Sequence, residues 1–285
     1  MFHKYIFLFL LSIIYQPITA FSADSGQTLN HYHEAPQAQA LSIEDFSGEL
    51  LITSQPEPGI RLKLTGSKRQ LDDQDITTRN GVLHLRMQQS HSARRSTRIN
   101  TLTNTSVMAF ASNGSTTHLI INGQAITPDS SNRSDNPDQE TAAEPLSAEL
   151  MLPANLPLTI TGLRGQARIG PRSGPVDATL AAGTMDFAAL HDARLRVTGS
   201  GNIGVDTAQG QLDITIKGSG NIQVADARLS LLEAQLKGVG SIHIKGQAEQ
   251  AELRLRGAGS IYVDSVLQQP RTSLSGVGSI TVGNW

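Results

Sequence analysis

The residues with the clearest potential for chemistry are two aspartates that recur at one position of a repeated pattern. Asp206 and Asp264 each follow a Gly-x-Gly-x-Ile segment at the same offset. Enzymes that cleave polysaccharides on a β-helix need an acid and a base close together on one outer face. The other copies carry Ala225, Lys245 and Gly283 at this position. Acids do not cluster here, so no catalytic residue is predicted.

A second set of charges follows later in each copy, and its signs are mixed. Its members are Asp213, Lys217, Lys237, Glu252, Arg254, Arg256 and Arg271. Interspersed signs are typical of a solvated face rather than a reactive cluster. The Gly-Ser-Gly segments precede strand-like residues instead of a helix, so they lack the helix N-terminus that binds phosphate in nucleotide sites. No cofactor is predicted.

Two further segments were weighed as ligand sites. His31 and His33, in His31-Tyr32-His33-Glu34, lie on one side of an extended strand and could share a metal ion. No further ligand set follows them, so the segment is interpreted as an exposed stretch and no metal is predicted. Arg94, Arg95 and Arg98 could contact an anionic glycan or a phosphate, or could simply be solubilising loop charge.

Outward aromatic side chains are scarce in the repeats. Tyr262 is the only one at an outward position, and one ring does not make a sugar-stacking platform. His243, beside Lys245, is interpreted as a lone surface histidine.

The elements that position these residues come from an internal repeat, Gly-x-Gly-(Asn/Ser)-Ile, present in five copies at spacings of 19, 20, 19 and 19 residues. Its glycines are Gly199, Gly201, Gly218, Gly220, Gly238, Gly240, Gly257, Gly259, Gly276 and Gly278. A fixed period of this length indicates a stacked array. The sequence therefore predicts an all-β fold, a single-stranded β-solenoid of about five to seven rungs, where a rung is one turn of the solenoid.

Each copy contains two short strands with alternating aliphatic residues. Ile203 and Val205 form the inward face of the first strand, and Leu212, Ile214 and Ile216 that of the second. The glycines lie between strands, where they permit close approach of neighbouring rungs. A polar residue follows each second glycine and is interpreted as a turn ladder: Asn202, Asn221, Ser241, Ser260 and Ser279.

The rest of the chain divides by composition. Residues 1–20 are predicted to be a secretory signal peptide, because Lys4 precedes an apolar run about half as long as the roughly 20 residues that span a bilayer. No transmembrane segment is expected after its cleavage. The predicted units that follow are a flexible N-terminal segment at 21–40, a β segment at 41–88, a mobile polar low-complexity insertion at 89–146 and the solenoid at 147–285.

Composition limits the classes of partner and predicts which side chains form the core. The net charge of −2 does not favour nucleic acid. Cysteine is absent and aromatic residues make up 4% of the chain. The core is therefore expected to be thin, aliphatic and free of disulfides.

The repeats resemble the autotransporter adhesin head, or GIN domain, family, whose hallmark is seen in GSGNIGV and GSGNIQV. SGELLITSQPEPGIRLKLTGS, DDQDITTRNGVLHLRM and AELMLPANLPLTITG resemble the family's earlier segments, so the likeness covers roughly residues 41–88 and 147–285. The resemblance implies a β-helical, exported bacterial protein. It supplies no catalytic residues.

These observations favour a non-enzymatic cell-envelope or secreted protein that contacts a cell-surface glycan or protein. A carbohydrate-active β-helix enzyme and a periplasmic structural or assembly factor are the alternatives. The edge near Ile280 and Val282 is a strand without a following rung in this sequence, so self-association there is a further expectation.

Overall fold

The computed structural model describes residues 28–87 and 145–285, together with the backbone of three short strands between 107 and 126. The predicted signal peptide, the Arg94, Arg95 and Arg98 cluster and most of the predicted insertion lie outside the described residues. In the part of the chain that is described, no helix is long and apolar enough to cross a membrane.

The fold is built almost entirely of strands. Before the insertion these are β1 (Leu29–Ala35), β2 (Ala40–Glu44), β3 (Ser47–Ser54), β4 (Ile60–Gly66), β5 (Gln74–Arg79) and β6 (Val82–Met87), with the short helix α1 (Lys68–Asp72) between β4 and β5. Within the insertion lie β7 (Val107–Ala109), β8 (Leu119–Ile121) and β9 (Gln124–Ile126). After it come β10 (Ser147–Leu152), β11 (Leu158–Ile169), β12 (Val176–Ile216), β13 (Ser219–Leu236), β14 (Val239–Leu255), β15 (Ala258–Val266), β16 (Arg271–Leu274) and β17 (Val277–Asn284).

The strands from β11 onward stack in parallel, each rung in register with the next. Gly201 pairs with Gly220, Gly220 with Gly240, and the series continues through Gly259 and Gly278. The sequence period of 19 or 20 residues is therefore the length of one rung. The predicted β-solenoid is confirmed, with about seven rungs.

The interior is a column of aliphatic side chains, as the low aromatic content predicted. Ile203, Ile222, Ile242 and Ile261 lie directly above one another and are at most 1% exposed. Burying each such side chain contributes roughly 1.5–3 kcal/mol. The aliphatic side chains of each rung are covered from above and below only by the neighbouring rungs. A single rung therefore cannot bury its own core.

The glycine column sets the distance between rungs. A Cβ on Gly220, Gly240 or Gly259 would overlap the carbonyl oxygen of the glycine in the preceding rung. Gly240 and Gly259 also have φ angles of 145° and 148°, which L side chains rarely adopt. Beside this column, Asn202 Oδ1 accepts from the backbone N of Asn221 at 3.2 Å and from its Nδ2 at 3.0 Å, and Asn221 Oδ1 accepts from Ser241 Oγ at 2.7 Å.

The N-terminal segments extend the solenoid rather than preceding it. β2 and β3 pair in parallel with β11, with Leu41 beside Leu158 and Leu50 beside Ala167. β6 pairs in parallel with β2, and Asn80 and Gly81, both with positive φ, form the hairpin turn that joins it to β5. Residues 41–88 and the solenoid thus share one sheet.

The N-terminal segment and the insertion contain more ordered structure than the sequence predicts. Residues 21–40 were expected to be flexible, but in the part of this segment that the structure describes, β1 pairs antiparallel with β4 along its whole length. β4 also pairs antiparallel with β10, so this end of the solenoid is closed by strands of opposite direction. Within the insertion, which was expected to be mobile, β8 lies between β7 and β9 in a small antiparallel sheet.

One buried charge lies in the segment between β11 and β12. Arg172 is 3% exposed, and its Nη2 donates to the carbonyl oxygen of Leu156. Its Nε and Nη1 have no hydrogen-bond partner among the described residues. Burial lowers the pKa of Arg172 to about 10, because desolvation disfavours the charged guanidinium.

We expect Arg172→Met to raise the free energy of unfolding by about 1–2 kcal/mol. Methionine fills similar space, and replacing an incompletely paired buried charge by an apolar side chain is often stabilising. Urea denaturation of both proteins measures the change. Arg168→Met, at an exposed position of β11, is the matched control and should shift stability by less than about 0.5 kcal/mol. A loss of stability in Arg172→Met would show that the guanidinium stabilises the fold.

Candidate outer-wall binding site

The solenoid presents two outer walls. The first wall is the outward face of the first strand of each rung, formed by Gly204, Asp206, Gln223, Ala225, His243, Lys245, Tyr262, Asp264, Thr281 and Gly283. The second wall is the outward face of the later strand, which carries Asp177, Arg194, Arg196, Asp213, Glu233, Glu252, Arg254 and Arg271. Alternate residues of a strand face opposite sides. Because the aliphatic residues face inward, the residues between them face outward and form the two walls.

The first wall carries a stacked pair of rings. His243 and Tyr262 are register neighbours on β14 and β15, and their ring centroids are 4.6 Å apart with an interplanar angle of 19°. From the sequence, they were expected to be a lone histidine and a lone aromatic residue. Their identical repeat positions, 19 residues apart, were the signal that they would meet.

Asp264 fixes the position of this pair. Its Oδ2 accepts from the backbone N of Gly246 at 3.1 Å, and its carboxylate also accepts the Tyr262 hydroxyl. The Gly246 hydrogen bond is the main cause that lowers the pKa of Asp264, with the Tyr262 hydroxyl next and the positive field of His243 and Lys245 adding to it. The same carboxylate raises the pKa of Tyr262. The site therefore holds an ionised carboxylate beside a neutral phenol.

The second wall is arranged differently, since its charges meet one another. Arg194 Nε lies 2.9 Å from Asp213 Oδ2, and Arg194 Nη1 lies 3.6 Å from Asp177 Oδ2. Arg196 Nη1 binds the other oxygen of Asp177 at 2.7 Å. Farther along, Arg254 pairs with Glu252. The hydrogen bond that Arg194 donates to Asp213 is the main cause that raises the pKa of Arg194.

A shallow groove of about 390 Å³ opens on this wall. Leu158, Val176 and Leu212 form part of its floor, and the Asp177, Arg194 and Asp213 network lines its side. Asp177 and Asp213 are engaged by arginine, whereas Asp192, which accepts from the backbone N of Gln211, and Glu233, the register neighbour of Asp213, also line the groove.

The two aspartates considered as an acid–base pair are not brought together. Asp206 and Asp264 occupy one column but are separated by three rung steps, through the neighbours Val205, Val224, Ile244 and Val263. At about 4.8 Å per step, their separation is roughly 14 Å. Glycosidases hold their two carboxyl groups within roughly 5–9.5 Å.

The other sequence candidates lie apart from the first wall. His31, His33 and Glu34 are on β1, paired along β4. Among the described residues, no group of three or more His, Cys, Asp or Glu side chains is placed to hold a metal ion. Lys217, Lys237, Arg256 and Arg271 are exposed.

Comparison with solved structures identifies the fold. A crystal structure of a "putative adhesin" from Bacteroides fragilis is 16% identical, with a TM-score of 0.56, and the match covers 90% of this chain and 97% of that one. A "putative adhesin" from Parabacteroides distasonis is 12% identical over 91% of this chain and 98% of that one, with a TM-score of 0.46. At such identities the likeness to the Bacteroides protein shows the fold alone. No curated protein matches the chain.

Comparison with protein families gives a more specific result. Residues 189–283 match the family described as "putative auto-transporter adhesin, head GIN domain". The matched range begins within β12 and ends within β17, so it covers the regular rungs and the whole His243–Tyr262 site. The resemblance drawn from the glycine repeats is confirmed over this range. The rungs at residues 189–283 are therefore similar to the head GIN domain of auto-transporter adhesins, and the match covers about a third of the chain.

Proposed function

We propose that this chain is an exported, non-enzymatic surface protein that adheres to a cell-surface glycan or protein through its first wall. The observation that carries the proposal is the contrast between the two walls. Charges on the second wall pair with one another across rungs, whereas the first wall carries a stacked, half-buried aromatic pair beside hydrogen-bonding groups. Aromatic side chains that are partly open to solvent beside polar groups are characteristic of binding surfaces.

The enzymatic alternative has less support. A polysaccharide-cleaving site needs two carboxyl groups within one reaction distance, and Asp206 and Asp264 are roughly 14 Å apart by rung spacing. Export is supported by the apolar leader at residues 1–20 and by the match of residues 189–283 to the adhesin-head family. A periplasmic structural or assembly role shares that support and differs in location.

Adhesion is tested with beads coated with residues 21–285 and applied to mucin- and polysaccharide-coated surfaces. The first-wall variant Gln223→Glu/Lys245→Glu should reduce the number of retained beads at least fivefold. The control Gln209→Glu/Lys237→Glu makes the same change in charge at exposed positions outside the first wall and should retain beads as the unchanged protein does. Equal retention by all three proteins would contradict a role for the first wall.

Location is tested by adding protease to intact cells that express the full chain. Adhesion requires that the solenoid is cut, or is recovered in the medium. A chain that is protected in intact cells and released with the periplasmic fraction would exclude adhesion and favour the assembly role.

A further inference from the structure

The stacked pair on the first wall has one covered side and one open side. His243 covers the face of Tyr262 that points toward β14. On the opposite side, the register neighbour of Tyr262 is Thr281 of β17, whose side chain is short and exposed. The aromatic column therefore ends at Tyr262. The second face of the Tyr262 ring lies next to the shorter side chain of Thr281.

The neighbouring column ends in the same way. Asp264 is followed in the next rung by Gly283, which has no side chain and is exposed. The two columns together form a notch with the ring of Tyr262 and the carboxylate of Asp264 on one side. Thr281 and the backbone at Gly283 form its base. We name this the Tyr262 notch.

The polar groups around the notch are oriented before a ligand arrives. Asp264 is fixed by the N–H of Gly246, at 3.1 Å, and by the Tyr262 hydroxyl. A carboxylate has about four acceptor sites, so these two donors leave acceptors for further hydroxyl groups. Hydrogen bonds from hydroxyl groups to an ionised carboxylate are among the stronger ones in proteins. Thr281 adds a hydroxyl that both donates and accepts.

This chemistry selects a class of ligand. A flat ring beside a carboxylate fits a molecule with an apolar C–H face and adjacent hydroxyl groups, which describes a pyranose ring. An acidic sugar would be repelled by Asp264. A cationic side chain is attracted by the ring and the carboxylate, but Lys245, adjacent to Asp264 in the column, opposes a second positive charge. The charges of Asp264 and Lys245 together therefore favour a neutral sugar.

We infer that the Tyr262 notch is a subsite for the ring of a neutral pyranose, with Tyr262 stacking on its C–H face and Asp264 accepting from adjacent hydroxyl groups. The inference rests on the proposed function, because it names the ligand class for one part of the first wall. A shallow, open subsite binds weakly, so affinity for a single ring should be in the millimolar range, and adhesion would draw on many copies at once.

The test is saturation-transfer and chemical-shift NMR on residues 21–285 with the methyl glycosides of glucose, galactose, mannose and N-acetylglucosamine as probes. At least one probe should bind with shifts centred on Tyr262 and Thr281. Tyr262→Ala should weaken it at least tenfold, and Tyr262→Phe, which keeps the ring face, no more than threefold. Thr281→Trp should abolish binding by filling the notch, whereas Thr281→Ser should preserve it. Unchanged thermal melting of each variant shows that folding is intact.

Two outcomes would overturn the inference. One is that no neutral probe binds, or that a lysine-rich peptide binds in place of the sugars. The other is that Tyr262→Ala and Thr281→Trp bind as well as the unchanged protein. Retention of coated beads distinguishes these failures from failure of the proposed function. Beads that still adhere with both variants would place adhesion elsewhere on the first wall, whereas loss in Gln223→Glu/Lys245→Glu is required by the proposal as a whole.

Discussion

Gly220→Ala should lower the free energy of unfolding by at least about 3 kcal/mol, the upper end of the usual cost of forcing extra atoms into a packed site. The added Cβ would overlap the carbonyl oxygen of Gly201 in the preceding rung. That atom is backbone and is held by the parallel ladder between β12 and β13. The only relief is to separate two rungs, which breaks hydrogen bonds along both strands. Guanidinium denaturation followed by circular dichroism measures the loss.

Gly204→Ala is the matched control for this prediction. It adds the same methyl group to a glycine in the adjacent rung, but the nearest atom is Oδ1 of Asp186, the end of an exposed side chain that can rotate away. Its cost should stay below about 1 kcal/mol, as for ordinary surface changes. Similar losses in the two variants would mean that helix or strand propensity, rather than rung spacing, explains the glycine column.

The regular part of this fold could be predicted from sequence because one physical constraint repeats. Each rung needs a glycine where backbones approach and aliphatics at alternate positions, so the pattern recurs in phase from Gly199 to Gly278. Register follows from the period, since the second glycine of each Gly-x-Gly segment pairs with its counterpart in the next rung. The aliphatic column of Ile203 and its counterparts follows from the same phase.

The N-terminal closure could not be predicted in the same way. β1 and β4 occur once, so no period reveals that they pair antiparallel or that β10 joins them. His31-Tyr32-His33-Glu34 is polar, and its strand conformation comes from the ladder with β4 rather than from a buried face. Local composition therefore indicated flexibility where long-range pairing supplies order.

The candidate site was missed for a related reason. His243 and Tyr262 were each weighed alone along the chain, and each alone says little. In a solenoid the important neighbour of an outward residue is the one 19 or 20 positions away, so outward residues form columns. When the rungs are aligned by their glycines, His243 and Tyr262 fall in the same column of neighbouring rungs. The same alignment separates Asp206 from Asp264 and weakens the catalytic alternative.

The cost of truncating a core isoleucine should depend on the position of its rung along the solenoid. Ile222→Ala should cost about 3–4 kcal/mol, within the range for truncating a buried aliphatic side chain. Ile222 is fully buried, with Ile203 on one side and Ile242 on the other. Ile280→Ala removes the same atoms at the same repeat position, yet should cost only about 1 kcal/mol. Ile280 is half-buried and, in the described chain, has a register neighbour only in Ile261.

Hydrogen exchange distinguishes the effect of Ile222→Ala from that of Ile280→Ala, because stacked arrays can open from one end without global unfolding. Amides of β17 should exchange faster than those of β13 in the unchanged protein, and Ile280→Ala should accelerate exchange in β17 alone. Gln223→Ala, beside Ile222 on the outer face, controls for substitution in the central rung and should leave both rates unchanged. Equal costs for the two isoleucines would contradict an open final rung. They would indicate instead that β17 is covered in solution, as in the self-association expected at this edge, and the exchange rates of β17 would then fall with protein concentration.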